Sequence, residues 1–359
     1  MNCTAVLSEA WRNIVTGASR GVWFAVALAV VGTGFGAAEV ASASSLVAQA
    51  EAFQGAGANI TTLVAAGAID GRSCEQLKDL PGVSAAGALR SSGEMRILTL
   101  PGSTVPAREV TTGFLPVLGA QQTSGSGLVV STEVAEQFGL TALGAGSRPA
   151  LLTTLGDAAV AGIYDYPADG RRPGFGYGVL QPVPPTGLFD ECWVRAWPQS
   201  QEIRTLIRLS MVPVDETAVM EPPLVSQLNT RHGLTFNGPA VFEERISRFG
   251  AMAAFAVSVA LGFISVRSRR LELASARHSG VPALSQALQM VVESTVIAAT
   301  SLVLAVSAVL SMAHSADSAA LALLGIKPPV VAAAAFVVGA CSGVFFTKEK
   351  HLFQYFKNR

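Results

Sequence analysis

Four runs in this chain carry no Asp, Glu, Lys or Arg: Gly21–Ala38, Phe249–Val266, Ser294–Ala316 and Pro328–Thr347. As α-helices, even the shortest, about 18 residues, reaches about 27 Å, close to the hydrocarbon thickness of a bilayer. Each run therefore predicts a membrane span. The stretch after the first run stays apolar and uncharged between Glu39 and Glu51, so the first helix is expected to continue beyond the bilayer as a stalk. From Gly55 to Glu244 the pattern changes to short segments with strand or helix periods. Glu94–Leu100 alternates as a strand and is turned by Pro101-Gly102. Leu128–Ser131 reads as a strand leading into a helix over Thr132–Phe138, with Ser131 or Thr132 as its cap and early glutamates suited to the helix dipole. Strands are expected at Ala150–Thr154, Ala159–Tyr164 and Cys192–Trp197, followed by a helix over Gln199–Leu209. Such alternation predicts an α/β or α+β domain.

The fold class is therefore an α-helical membrane protein with four transmembrane helices plus an external α/β (α+β) domain between the first and second helices. In order, residues 1–20 form a cytoplasmic amphipathic lead-in, 21–54 the first span and stalk, 55–244 the external domain and 245–266 the second span. Residues 267–289 form a cytoplasmic elbow, 290–316 the third span, 317–327 an outer loop, 328–347 the fourth span and 348–359 a cytoplasmic tail. Ala41-Ser42-Ala43 also offers a signal-peptide cleavage site, but the preceding apolar run is longer than the usual h-region of about 7–15 residues. An uncleaved first span is preferred. Gly32 and Gly36 have the GxxxG spacing that permits close helix approach, although a flexible outer helix end is the simpler expectation.

Composition supports the spans, since half the residues are apolar, only 14% are charged and the mean hydropathy is +0.44. A net charge of zero conceals a separation. Residues 1–20, 267–289 and 348–359 hold ten Lys and Arg against three acids, whereas residues 39–248 hold fourteen against twenty. The positive-inside rule then predicts a multi-pass protein of the plasma or inner membrane with both termini cytoplasmic and the large domain extracytoplasmic.

The most basic short segment is the elbow, with Arg267, Arg269, Arg270 and Arg277. Leu271, Leu273 and Ala274 continue the apolar run before them, Gly280 suits a helix C-cap, and Pro282 suits the first turn of a following helix. Leu284, Leu288 and Val292 recur every four residues and lead into the third run. Glu293 stands at the inner edge of that run, where it can pair with a basic elbow residue or meet a partner.

Arg269 and Arg270 before Glu272-Leu273-Ala274, Gly280 eight residues after Glu272, and Glu293 thirteen after Gly280 resemble the coupling segment of MacB/FtsX-like ABC transporter permeases, the type VII mechanotransmission superfamily. That family often has an arginine four residues after the first glutamate. Ala276 stands there and Arg277 follows one position later, a departure that leaves this contact open. Three further segments resemble the external domain of the family: Val110–Gly119, Val129–Gly139 and Ala158–Ile163. The resemblance implies a permease coupled to a separate cytosolic ABC ATPase, with ATP and Mg bound by that partner and no cofactor by this chain. It assigns ATPase coupling to Arg269, Arg270, Glu272, Arg277, Gly280 and Glu293. It further implies two permease copies, as a homodimer or pseudo-symmetric heterodimer in membrane lipid, and leaves room for an external protein partner. The external segments resemble the MacB type more than the FtsX type, so export of a hydrophobic, peptide or lipoprotein-like cargo is expected. Activation of an external cell-wall hydrolase, or a membrane-anchored sensor without an ATPase, is the alternative.

Cys74 and Cys192 lie in the external domain, whereas Cys3 is cytoplasmic and Cys341 lies in the fourth span. Only the external pair meets an oxidising compartment, so a Cys74–Cys192 disulfide is expected, the alternative being two buried thiols. No Gly is followed directly by Lys, which excludes a GxxxxGK[ST] phosphate loop. Gly17–Gly21 matches GxSxG but precedes a span with no strand before it, so no catalytic residue is assigned. The four histidines suggest no metal site, and nothing suggests a nucleic-acid partner.

Overall fold

The computed structural model describes residues 3–99, 102–120, 126–140, 149–154, 156–213, 222–313 and 318–347. The expected tail with Lys348, Lys350, Lys357 and Arg359 lies outside them. Two compact units divide the chain, Met1–Ala48 with Gly238–Arg359, and Gln49–Asn237.

The chain opens with helices α1 (Cys3–Val15) and α2 (Gly21–Gly55). Then follow β1 (Ile60–Asp70), α3 (Gly71–Gln76), β2 (Val83–Arg96), β3 (Thr104–Thr111), α4 (Phe114–Leu118), β4 (Leu128–Ser131) and α5 (Thr132–Gln137). Next come β5 (Ala150–Thr153), β6 (Gly156–Tyr164), β7 (Val179–Val183), β8 (Leu188–Ala196), α6 (Gln201–Leu206) and β9 (Leu224–Gln227). The remainder is helical: α7 (Gly238–Glu244), α8 (Gly250–Arg267), α9 (Arg270–His278), α10 (Ala283–Met312) and α11 (Ser318–Phe346).

Within the 49–237 unit, the described strands form one mixed sheet in the order β5-β6-β4-β7-β3-β2-β8-β1-β9. Pairs β3–β7 and β4–β6 are parallel and the others antiparallel. The expected strand-to-helix turn forms at Ser131, whose side chain accepts from the Val134 amide and also from the Gly178 amide at 3.1 Å. Helix α4 lies so close to β2 that a Cβ at Gly87 would sit 2.2 Å from the Phe114 nitrogen. An aromatic core forms from Phe114, Phe175 and Trp193, all buried. Asp70 caps α3 by accepting from the Ser73 amide at 2.8 Å, and this short helix delivers Cys74 to β8. Cys74 and Cys192 are bonded, with Cα atoms 5.9 Å apart and both residues fully buried.

In the other unit, α2, α8, α10 and α11 are each long and apolar enough to cross a membrane. Small residues bring them together. A Cβ on Gly262 would stand 2.1 Å from the Phe336 carbonyl oxygen, and one on Gly339 would stand 2.1 Å from that of Val259, so α8 and α11 touch backbone to backbone. Gly32 and Gly36 likewise face Pro329 and the Gly325 carbonyl. They are a packing surface of an unbroken helix rather than a flexible helix end. Residues 318–327, expected as an outer loop, are the first turns of α11, with Pro328 and Pro329 inside the helix. Exposed Lys327 still suits a membrane boundary, because residues 327–346 alone span about 30 Å as a helix.

The disulfide closes a separation of 118 residues, for which chain entropy gives roughly 4–5 kcal/mol. Alkylation without reductant should leave Cys74 and Cys192 unmodified, and their joint replacement by alanine should lower the domain's unfolding midpoint by about 10 °C or more. For the membrane unit, Gly262→Leu should destabilise the detergent-solubilised chain by at least about 1–3 kcal/mol through overpacking. Gly34→Leu, at a position with open space, should leave its thermal midpoint nearly unchanged.

Candidate functional site

The elbow is built from three helix ends. Helix α8 stops at Arg267, Arg269 leaves helical geometry with φ −110° and ψ 17°, and α9 starts at Arg270. The apolar continuation through Leu273 and Ala274 is therefore a separate helix, whose buried face packs with Val266, Met290, Ala340 and Val344. Gly280 adopts φ +94°, a conformation that strains any side chain. The Val281 amide donates back to the Ala276 carbonyl at 3.1 Å, and Pro282 precedes the first turn of α10. The second half of the elbow is thus already part of the third long helix.

Two arginines expected at the elbow surface turn inward. Arg269 is only 8% exposed and donates to the Glu293 Oε2 at 2.5 Å through Nη1. Its Nε and Nη2 donate to both oxygens of Glu272, at 3.0 and 2.7 Å. Burial opposes the guanidinium charge, but the hydrogen bonds to Glu272 and the charge of Glu293 outweigh it and raise the pKa. Glu293, 3% exposed, also accepts at Oε1 from Asn13 at 2.8 Å and from Gln289 at 3.2 Å. Arg277 turns inward too. It donates to Gln286 at 2.8 Å and to the Thr347 and Val344 carbonyls at 2.5 and 3.3 Å, where the C-terminal end of α11 favours a cation.

What remains outward is a narrow tip. Glu272 is half-exposed despite its bond to Arg269, while His278, Ser279, Gly280 and Pro282 are exposed. Leu284 is 82% exposed. The four-residue repeat Leu284, Leu288, Val292 is therefore not the packed face of α10. Gln286, Met290, Glu293 and Ile297 face inward instead.

Asn13, Gln286 and the pair Glu39–Arg245 carry structure that sequence reading passed over. Asn13 shares the buried face of α1 with Val6 and Ala10, and that spacing was a usable signal. Gln286 joins the two arms of the elbow by accepting from Arg277 and donating to the Leu273 carbonyl at 2.9 Å. Arg245 donates to Glu39 at 2.5 Å while its guanidinium lies 3.7 Å from the Phe242 ring centroid. The signal there was an acid, Glu39, directly after an uncharged run of eighteen residues. Among the described residues no three His, Cys, Asp or Glu side chains could hold a metal ion.

Fold and site together define a multi-pass membrane protein with four long apolar helices, a mixed α/β domain between the first and second of them, and a clamped helical elbow between the second and third. No family model matches the chain, and no curated protein matches it. Among solved structures, a domain described as belonging to a permease protein from Porphyromonas gingivalis is 13% identical, covering 47% of this chain and 88% of that one, with a TM-score of 0.33. The periplasmic region of MacB from Actinobacillus actinomycetemcomitans is 11% identical, covering 44% and 85%, with a TM-score of 0.31. The extracellular domain of the noncanonic ABC-type transporter YknZ from Gram-positive bacteria is 12% identical, covering 41% and 88%, with a TM-score of 0.29. Likeness at this level carries no argument about function.

The buried pair makes a sharp expectation. Glu293→Ala should cost about 2–3 kcal/mol by leaving the Arg269 Nη1 and the Asn13 amide without their acceptor, whereas Glu272→Ala should cost about 1 kcal/mol because that side chain is half-exposed. Arg269→Met combined with Glu293→Leu should recover most of the loss. Thermal unfolding of the full chain in detergent would decide, and equal losses for the two single alanine variants would remove Glu293 from its central place.

Proposed function

We propose that this chain is the permease subunit of an ABC transporter, working with a separate cytosolic ATPase that binds ATP and Mg. The observation that carries the reading is the elbow: a short helix and the start of a long one, fixed internally by Arg269 and Arg277 and presenting a compact tip. Such a part suits a lever struck by another protein, because force applied at the tip reaches the span ends without the elbow unfolding. The spacing of Arg269, Glu272, Gly280 and Glu293, and its resemblance to the MacB/FtsX-like coupling segment, supports the same reading. In this proposal Glu272, Gly280 and neighbouring Leu284 meet the ATPase, while Arg269, Arg277 and Glu293 hold the shape that it meets. Arg270 flanks the tip. ATPase closure moves the elbow, and α2 and α8 carry that movement towards the extracytoplasmic domain. Termini and elbow lie inside, as their basic excess favours. Two such permeases assemble, and the cargo is hydrophobic, peptide or lipoprotein-like.

Affinity purification of the full chain in mild detergent, from cells expressing the native partners, tests the proposal by mass spectrometry of what co-purifies. An ATPase with Walker motifs should accompany the wild type and fall by about tenfold or more with Leu284→Arg or Glu272→Arg, since a charge placed in an apolar contact, or reversed in a polar one, costs well over 1.4 kcal/mol. If no such ATPase is recovered, or if both variants retain it fully, the docking elbow and the permease reading with it are overturned.

A further inference from the structure

In the 49–237 unit a groove of about 560 Å³ opens between β3, the start of α5 and the segment linking β6 to β7. Its volume lies in the range of small-molecule sites. Three prolines (Pro106, Pro167, Pro173) and the rings of Tyr166 and Tyr177 form apolar walls. The walls are held by hydrogen bonds, since the Tyr166 hydroxyl donates to the Arg172 carbonyl at 2.6 Å and the Tyr164 hydroxyl to that of Phe175 at 2.7 Å. Burial, more than any neighbouring charge, pushes the Tyr166 phenol up to about 12, so it stays neutral at physiological pH.

The charges in this groove are unusual for what they lack. Arg90, Arg171 and Arg172 nearby are paired with Glu109, Asp169 and Glu191. Arg108 has no ion pair among the described residues, and its buried Nη1 has no hydrogen-bond partner. Its guanidinium lies 4.2 Å from the Phe175 ring centroid. Two glycines border the guanidinium where Arg108 lines the groove, a Cβ on Gly174 or Gly178 standing 3.5 Å from Nη2 or Nη1. Glu133 approaches the same Gly-Phe-Gly-Tyr-Gly segment, with Oε1 3.5 Å from where a Cβ on Gly176 would be. Arg108 and Glu133 thus flank one glycine-lined wall without forming a salt bridge.

We propose that this groove binds a small zwitterion with an apolar, ring-bearing body, an aromatic amino acid or a short peptide built from one. The carboxylate pairs with Arg108, the ammonium with Glu133, and the ring lies against the prolines and tyrosines. A lone anion would leave Glu133 opposing it, and a neutral apolar ligand would leave Arg108 unsatisfied. The inference is independent of any ATPase.

The test is calorimetric titration of the full chain in nanodiscs with L-phenylalanine, phenylalanine amide, N-acetyl-phenylalanine and the dipeptide Phe-Phe. Phenylalanine or the dipeptide should bind saturably, and whichever binds tighter identifies the source. The amide and the N-acetyl compound, each lacking one charge, should bind about ten- to a hundredfold more weakly. In Arg108→Met the preference for acid over amide should vanish, and in Glu133→Gln the preference for free over acetylated amine should vanish. Arg108→Met should also leave the thermal midpoint of the unliganded protein unchanged or raised, as removal of an unpaired charge predicts, whereas a purely structural arginine would lower it. No saturable binding by either zwitterion, or equal binding of acid and amide to the wild type, overturns the proposal.

Discussion

A carboxylate that faces inward on a membrane helix must be supplied with a cation, and much of this structure follows from meeting that requirement at Glu293. The pair with Arg269 fixes where α8 ends relative to α10, because the arginine occupies the break between α8 and α9. Asn13 then ties the lead-in helix to the same oxygen that Gln289 serves, so α1, α9 and α10 meet at one polar point. An isolated buried pair would do little better than an apolar contact. Here both Glu293 oxygens have donors and Arg269 has a second carboxylate, which offsets desolvation and makes the geometry specific.

The helices around this point are held by shape. Pro329 cannot donate to the carbonyl four residues back, which belongs to Gly325. That oxygen is the atom that a Cβ on Gly36 would meet at 2.6 Å. The carbonyl left free by the proline therefore lies against the backbone of α2, an arrangement open only to a helix with glycine there. Proline inside a membrane helix is tolerated where a neighbour covers the freed group. The same logic explains Gly262 and Gly339, where any side chain would hold α8 and α11 apart.

The four spans were legible because an uncharged run of this length has few other uses. Leu128–Ser131 followed by a capped helix was legible too, since strand period and cap chemistry agree. The start of the fourth helix was not. Lys327-Pro328-Pro329 looks like a helix beginning when only the chain is considered, and the reason that it is not one lies on another helix, at Gly36. The outward placement of Leu284 was hidden for a related reason: an apolar repeat does not say what covers it, and the packed face here is the one that carries Gln286, Met290 and Glu293. Glu293 and Arg269 could be singled out by position, and Asn13 by its spacing from Val6 and Ala10, but Gln286 looks like an ordinary surface residue until its partners are known. Strands β1 and β7 escaped because their small and glycine-flanked residues carry little alternation; their place comes from pairing with β8 and β3.

The second span shows how little polarity is needed to fix a helix whose body has none. Between Gly250 and Val266 there is no charged side chain, so within the bilayer packing determines its position, closest against α11 and also against α2. At its two flanks stand arginines, Arg245 bound to Glu39 of α2 and Arg269 bound to Glu293 of α10. Each acid lies on a different neighbouring helix. Axial sliding of α8 would break both pairs at once and take Glu39 and Glu293, both buried, from their arginines, whereas tilting about the glycine contacts with α11 can be shared between the two ends. The arrangement therefore resists translation more than it resists rocking, which is what the proposed transmission of movement would ask of this helix.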